Sequence, residues 1–93
     1  MKTKNTNLFK IAETKSFKKL KIDKKLKDKI EKEVYPVLRK NPFYGKHIKK
    51  LKGEFEGVYR YRLGDYRLFY TVNNNEVIVI VIDLKHRKNA YKG

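Results

Sequence analysis

Residues 53–71 read GEFEGVYRYRLGDYRLFYT. Two runs of alternating aromatic and basic residues flank Gly64-Asp65, and alternation with period two marks half-buried strands. A two-residue link with Gly first fits a tight hairpin turn of type II′. With those two residues as the turn, the register follows: Leu63 opposes Tyr66, Arg62 opposes Arg67, Tyr61 opposes Leu68, Arg60 opposes Phe69 and Tyr59 opposes Tyr70. Directly opposed residues project to the same side of a sheet. One side therefore carries Tyr59, Tyr61, Leu63, Tyr66, Leu68 and Tyr70, a candidate core. The other carries Arg60, Arg62 and Arg67.

Arg62 and Arg67 are then like charges side by side, which costs stability unless something neutralises them. No Asp or Glu on that side is near in sequence. Arginine presents a planar fork of donors suited to phosphate oxygens and stays charged at any working pH. The missing partner is a polyanion; the bland alternative is a solvated basic face kept for solubility. Arginines aligned across a tight hairpin favour the anion site.

Composition points the same way. The 93 residues suffice for one small domain, 1–93, and carry a formal charge of +15. Such a charge indicates nucleic acid, an anionic surface or an acidic protein as partner. Lys dominates up to Lys52, whereas Arg60, Arg62, Arg67 and Arg87 follow. Lys supplies a diffuse steering field, and Arg at fixed strand positions supplies directed contacts. There is no Cys, and the two His, at 47 and 86, do not make a metal site by themselves. No metal and no cofactor is expected. No apolar run reaches the length of a membrane span, and Met1–Lys10 lacks the apolar region of a signal peptide, so a cytoplasmic location is expected.

Residues 7–13, NLFKIAE, suit a first strand, with Phe9 and Ile11 on one side. Thr14 suits the cap of a short helix with Phe17 and Leu20 as its apolar contacts. Asp23 suits a second cap, after which Leu26, Ile30, Val34, Val37 and Leu38 recur at helical spacing. Pro36 cannot donate to the carbonyl of Lys32 and should kink or interrupt this helix; Asn41-Pro42 ends it. Residues 43–53 read as a loop or single turn anchored by Ile48 and Leu51. Its Lys46, Lys49, Lys50 and Lys52 would extend the anion surface. Asn73–Asn75 marks a second turn. Residues 76–83, EVIVIVID, are apolar on both faces, the pattern of a central strand. The expected architecture is α+β in the order β-α-α-β-β-β. Two helices, one short and one long, pack on one face of a twisted, mainly antiparallel four-stranded sheet. The face of Arg60, Arg62 and Arg67 is left open.

The run LKGEFEGVYRYRLGDYRLFYTV, an apolar strand and the ending HRKNAY together resemble the RelE/ParE superfamily of bacterial type II toxin–antitoxin toxins. The resemblance covers nearly the whole chain; its N-terminal half matches in general pattern only. It implies helices against a twisted sheet, an acidic antitoxin partner, and one of two activities. RelE-type members cleave messenger RNA on the ribosome, and ParE-type members poison DNA gyrase; no metal is required for cleavage if the arginines stabilise the charge. By the same resemblance, Arg60 and Arg62 match the basic pair before the hairpin. Arg67 matches the arginine that binds the scissile phosphate, Arg87 a second arginine, and Tyr91 the catalytic tyrosine. The leading expectation is a ribosome-dependent endoribonuclease that uses the RNA 2′-hydroxyl as nucleophile. Tyr91 or His86 would be the proton carrier, since an unperturbed imidazole titrates near pH 6.5. A gyrase inhibitor and a non-catalytic RNA-binding module are the alternatives.

Overall fold

The computed structural model describes residues 8–90. One mixed five-stranded sheet runs β1-β5-β4-β3-β2, with helices against one face. The strands are β1 (Lys10–Glu13), β2 (Ile48–Lys50), β3 (Tyr59–Leu63), β4 (Tyr66–Asn73) and β5 (Ile78–His86). β1 is parallel to β5 and every other neighbouring pair is antiparallel. The helices are α1 (Lys15–Lys18), α2 (Lys24–Lys29), α3 (Tyr35–Lys40) and α4 (Arg87–Ala90). Among the described residues no helix is long and apolar enough to cross a membrane.

The expected count of four strands is corrected to five. Residues 48–50 are not loop but β2, an edge strand paired with β3. Three residues, two of them Lys, carry too little alternation to mark a strand, and the pairing partner supplies what the local pattern lacks. Ile48 packs on the core and Leu51 is buried, so both anchor the segment as expected.

α1 is a single turn. Thr14 caps it by accepting a hydrogen bond from the Phe17 N–H, and Phe17 is buried. Leu20, expected beside it in the core, is exposed because the turn ends at Lys18. Asp23 caps α2 through the Lys25 N–H. α2 and α3 form one helical stretch, 24–40, joined by a π-helical turn at Ile30–Val34. Pro36 explains that turn. It offers no N–H to the Lys32 carbonyl, and the Tyr35 N–H instead bonds Ile30, five residues back. The proline thus widens the helix rather than interrupting it. The wider turn rotates less per residue and shifts the phase of α3 relative to α2. Tyr35 and Leu38 become buried, while Val37, expected in the apolar stripe, is turned out to solvent. Asn41 then ends α3, its side-chain oxygen accepting the Phe43 and Tyr44 N–H groups.

The hairpin has the predicted register residue for residue. Gly64 takes φ of +60°, as the first position of a II′ turn requires. Tyr61, Leu63, Leu68 and Tyr70 join Ile30, Val34, Leu38, Val79 and Val81 in the core. The Tyr70 hydroxyl donates to the buried Pro42 carbonyl at 2.6 Å. Tyr59 stacks on Tyr70, and Phe43 bridges Phe9 and Tyr59 edge to face.

β5 lies inside the sheet, between β1 and β4. Its pairing slips by one residue: Tyr70 opposes Val81 and Phe69 opposes Asp83, so Ile82 is a bulge. A slip of one residue exchanges the faces of everything beyond it. Leu84 and His86 therefore project to the helix side with Leu68 and Tyr66. Asp83 and Lys85 project to the open side with Phe69 and Arg67.

Candidate functional site

The open side of the sheet presents two rows of paired residues near the hairpin. In the outer row, Arg62 opposes Arg67 and Arg67 opposes Lys85. The Arg62 N–H also donates to the His47 carbonyl at 2.9 Å, which extends this row to His47. In the inner row, Lys49 opposes Arg60, Arg60 opposes Phe69, and Phe69 opposes Asp83. Positive charge thus concentrates on β2, β3 and the turn end of β4.

Several of these residues border the turn Gly64-Asp65. A recess beside it is lined by Lys46, His47, Arg60, Arg62 and Gly64. The Arg67 guanidinium donates through Nη1 to the carbonyls of Gly64 and Tyr66, both at 3.1 Å. On the far flank, the Arg87 N–H donates to the Asp65 carbonyl at 2.6 Å, and Arg87 Nε lies 3.7 Å from the Asp65 carboxylate. β5 delivers Arg87 here because it pairs with β4 up to Tyr66 and His86.

Arg67 corrects one expectation. Its side is the one away from the core, as predicted, yet it is only 8% exposed. The two carbonyls fold its guanidinium back along the turn, out of bulk water. Its Nε has no hydrogen-bond partner among the described residues. A buried donor without an acceptor is costly to leave unmade, and this nitrogen is closed to solvent in the structure.

The other expected site residues divide. Arg60, Arg62 and Lys46 share the recess, and Lys49 stands beside Arg60. Lys50 opposes Tyr59 and so projects to the helix side, while Lys52 lies beyond the end of β2, exposed. His86 is not brought into the recess. The bulge turns it to the helix side, where its ring packs edge to face on Tyr66 and its Nδ1 accepts the Lys88 N–H. Tyr91 lies outside the described residues. His47, which the sequence pattern does not single out, lines the recess, with its ring centroid 5.5 Å from that of Tyr61. Its signal in the sequence is weak: it sits one residue before β2, and β2 itself carries no strand pattern.

Three tyrosines of the helix side have raised pKa values. Burial raises Tyr35 most, with its hydrogen bond to Glu13 adding to it. Burial does the same for Tyr70, helped by neighbouring Tyr59 and Tyr61, and for Tyr61, helped by Glu33. All three stay protonated at neutral pH and belong to the core rather than to the basic face.

The sequence and the fold have relatives among known proteins. The family of the ParE toxin of type II toxin–antitoxin systems (parDE) matches residues 6–91. A relative in Methanocaldococcus jannaschii named toxin RelE1 is 39% identical over 64 residues, covering 67% of this chain and 70% of the relative. In the crystal structure of the toxin–antitoxin complex RelBE2 of Mycobacterium tuberculosis, one chain shares the fold with a TM-score of 0.77. It is 20% identical and the match covers 91% of this chain and 98% of that one. The RelE–RelB complex of Pyrococcus horikoshii gives a TM-score of 0.71 at 27% identity, over 89% of this chain and 99% of that chain. The chain belongs to the RelE/ParE family of type II toxin–antitoxin toxins.

Proposed function

We propose that this toxin is a ribosome-dependent, metal-independent messenger RNA endonuclease, held inactive by an acidic antitoxin. The observation that carries the reading is the convergence at the Gly64-Asp65 turn. Arg67 is fixed on the Gly64 and Tyr66 carbonyls, Arg62 and Arg60 line the recess that reaches Gly64, and Arg87 is held at Asp65. Cleavage by the RNA 2′-hydroxyl needs that group deprotonated, charge on the phosphate stabilised as it builds, and the 5′-oxygen protonated as it leaves. Arginines gathered on one face beside the turn would supply the second requirement without a metal. Arg67 would bind the scissile phosphate, Arg62 and Arg87 the developing charge, and Arg60, Lys46 and Lys49 the flanking phosphates. Tyr91 keeps the catalytic place that the family resemblance gives it.

The antitoxin follows from the +15 charge and from the relatives solved as toxin–antitoxin complexes. Cytoplasmic action on translating ribosomes follows from the same reading. Primer extension on messages from translating ribosomes tests it, and cuts at codon-linked positions are expected. Arrest of supercoiling with intact messages would replace the reading by DNA gyrase inhibition. Binding of RNA without either effect would leave a non-catalytic RNA-binding module.

A further inference from the structure

We propose that His47 is the proton acceptor of this site, the group that takes the 2′-hydroxyl proton when RNA lies in the recess. The inference rests on the RNA-cleavage reading and adds to it a residue that neither the hairpin pattern nor the family resemblance marks.

The residues that line the recess are Lys46, His47, Arg60, Arg62 and Gly64, and the first four carry polar or charged side chains. Three of the four are cations with donors only; an arginine holds its proton at any working pH, and a lysine ammonium has no lone pair to offer. Only an imidazole can accept a proton near neutrality. His47 is an exposed residue that borders the recess. It is also placed rather than loose. The Arg62 N–H holds its carbonyl at 2.9 Å, which fixes the backbone one rung beyond β2, and its ring lies 5.5 Å from the Tyr61 ring, tilted by 47°. His86, the other imidazole of the chain, faces the helix side against Tyr66 and does not line the recess.

The step balances with water as the only further reagent, which protonates the departing 5′-oxygen. The 2′-hydroxyl loses its proton to the neutral imidazole, its oxygen forms the new bond to phosphorus, and the bond from phosphorus to the 5′-oxygen breaks. The products are a 2′,3′-cyclic phosphate and a 5′-hydroxyl. The charged groups facing His47 are Lys46 from the preceding loop and Arg60 and Arg62 from β3; on the side of Tyr61 it meets an uncharged ring. Comparison of wild type with the His47 variants assigns to His47 the part of the pH dependence that they lose.

The test is single-turnover cleavage of message on programmed ribosomes, from pH 5 to 8, with the full chain. His47→Gln is expected to lower the rate roughly 10²-fold or more, the usual contribution of a positioned base. It should also remove the fall in rate on the acid side, with the melting temperature unchanged. His47→Lys, which keeps a positive charge, should not restore the rate, whereas added imidazole should partly rescue His47→Gly. A His47→Gln variant that cuts at the wild-type rate with the wild-type pH profile overturns the proposal. So does recovery in His47→Lys, which would make the residue a phosphate contact. Wild-type protein that cuts no message removes the RNA-cleavage reading, and this inference with it.

Discussion

Arg62 and Arg67 stand directly opposite each other across the β3–β4 hairpin, yet one is exposed and the other is buried. Their backbone positions are equivalent; their guanidinium groups are not. Arg67 turns back on the carbonyls of Gly64 and Tyr66, while Arg62 reaches over the recess. One arginine is thereby held rigidly and the other is free to adjust. For binding a phosphate, the fixed group sets geometry with little entropy left to lose, and the adjustable one adds charge.

Arg67→Ala should therefore weaken the fold as well as the site. From the sequence alone, relief of repulsion with Arg62 would leave stability unchanged or slightly higher. The buried, doubly bonded guanidinium reverses that sign. Hydrogen bonds from a charged donor contribute roughly 1.5–3 kcal/mol, so a loss of about 2 kcal/mol is expected in thermal melting. Cleavage should fall by roughly 10²–10³ from loss of one donor to the developing charge. Melting at or above the wild-type temperature would show that the two carbonyl bonds contribute nothing.

Lys49 and Lys50 are adjacent in sequence but project to opposite sides of the sheet. Lys49→Gln should weaken ribosome or RNA association and flatten its salt dependence, by about 0.7 in the log–log slope if one single-strand phosphate contact is lost. Lys50→Gln should change the slope much less, although it removes the same charge. Affinity measured at several salt concentrations separates the two. Equal effects would mean that the basic segment acts as a diffuse field with no preferred face.

The hairpin is legible in the sequence because three signals agree: alternation on both strands, a Gly-first turn, and opposite characters for the two faces. That agreement places Arg60, Arg62 and Arg67 on one side correctly. The bulge at Ile82 leaves no comparable mark. It sits in a run of Val and Ile where either face tolerates either residue, so nothing in the pattern shows the slip that carries His86 to the helix side. β2 is hidden for a related reason: its pairing with β3 comes from tertiary structure, and the position of His47 is hidden with it. Pro36 is legible as a disturbance. Its outcome, a wider turn in place of a break, depends on the sheet beneath, which keeps Val34, Tyr35 and Leu38 buried.

Asp65 is more than a turn residue, since its carbonyl and carboxylate both engage Arg87. The side-chain pair is exposed, and exposed pairs add little to stability. Asp65→Asn should therefore leave the melting temperature nearly unchanged. Arg87 would lose its charged guide, and the expected result is a lower cleavage rate at saturating ribosome with little change in binding. A large drop in melting temperature, with cleavage per folded molecule intact, would assign Asp65 to the fold instead.

Tyr35 ties the helical layer to the sheet by donating from its hydroxyl to a carboxylate oxygen of Glu13 at 2.7 Å. Burial, reinforced by that bond, raises its pKa, and burial raises that of Tyr70 as well. A phenol whose folded pKa lies above the unfolded value of about 10 contributes stability that is fully present below pH 10. That contribution is lost as pH rises toward the folded value, because the unfolded chain gives up its protons first. Unfolding free energy should thus decline above about pH 10. Lysine neutralisation over the same range relieves self-repulsion in every variant alike, so the comparison between variants isolates the phenols. Tyr35→Phe should be less stable than wild type at neutral pH, by on the order of 1–3 kcal/mol, because the Glu13 carboxylate loses its donor. Between pH 10 and 12, denaturant titrations should show it losing less stability than wild type does. Tyr70→Phe should behave the same way, through the donation to Pro42. Parallel pH profiles for wild type and both variants would show that neither phenol resists ionisation in the fold.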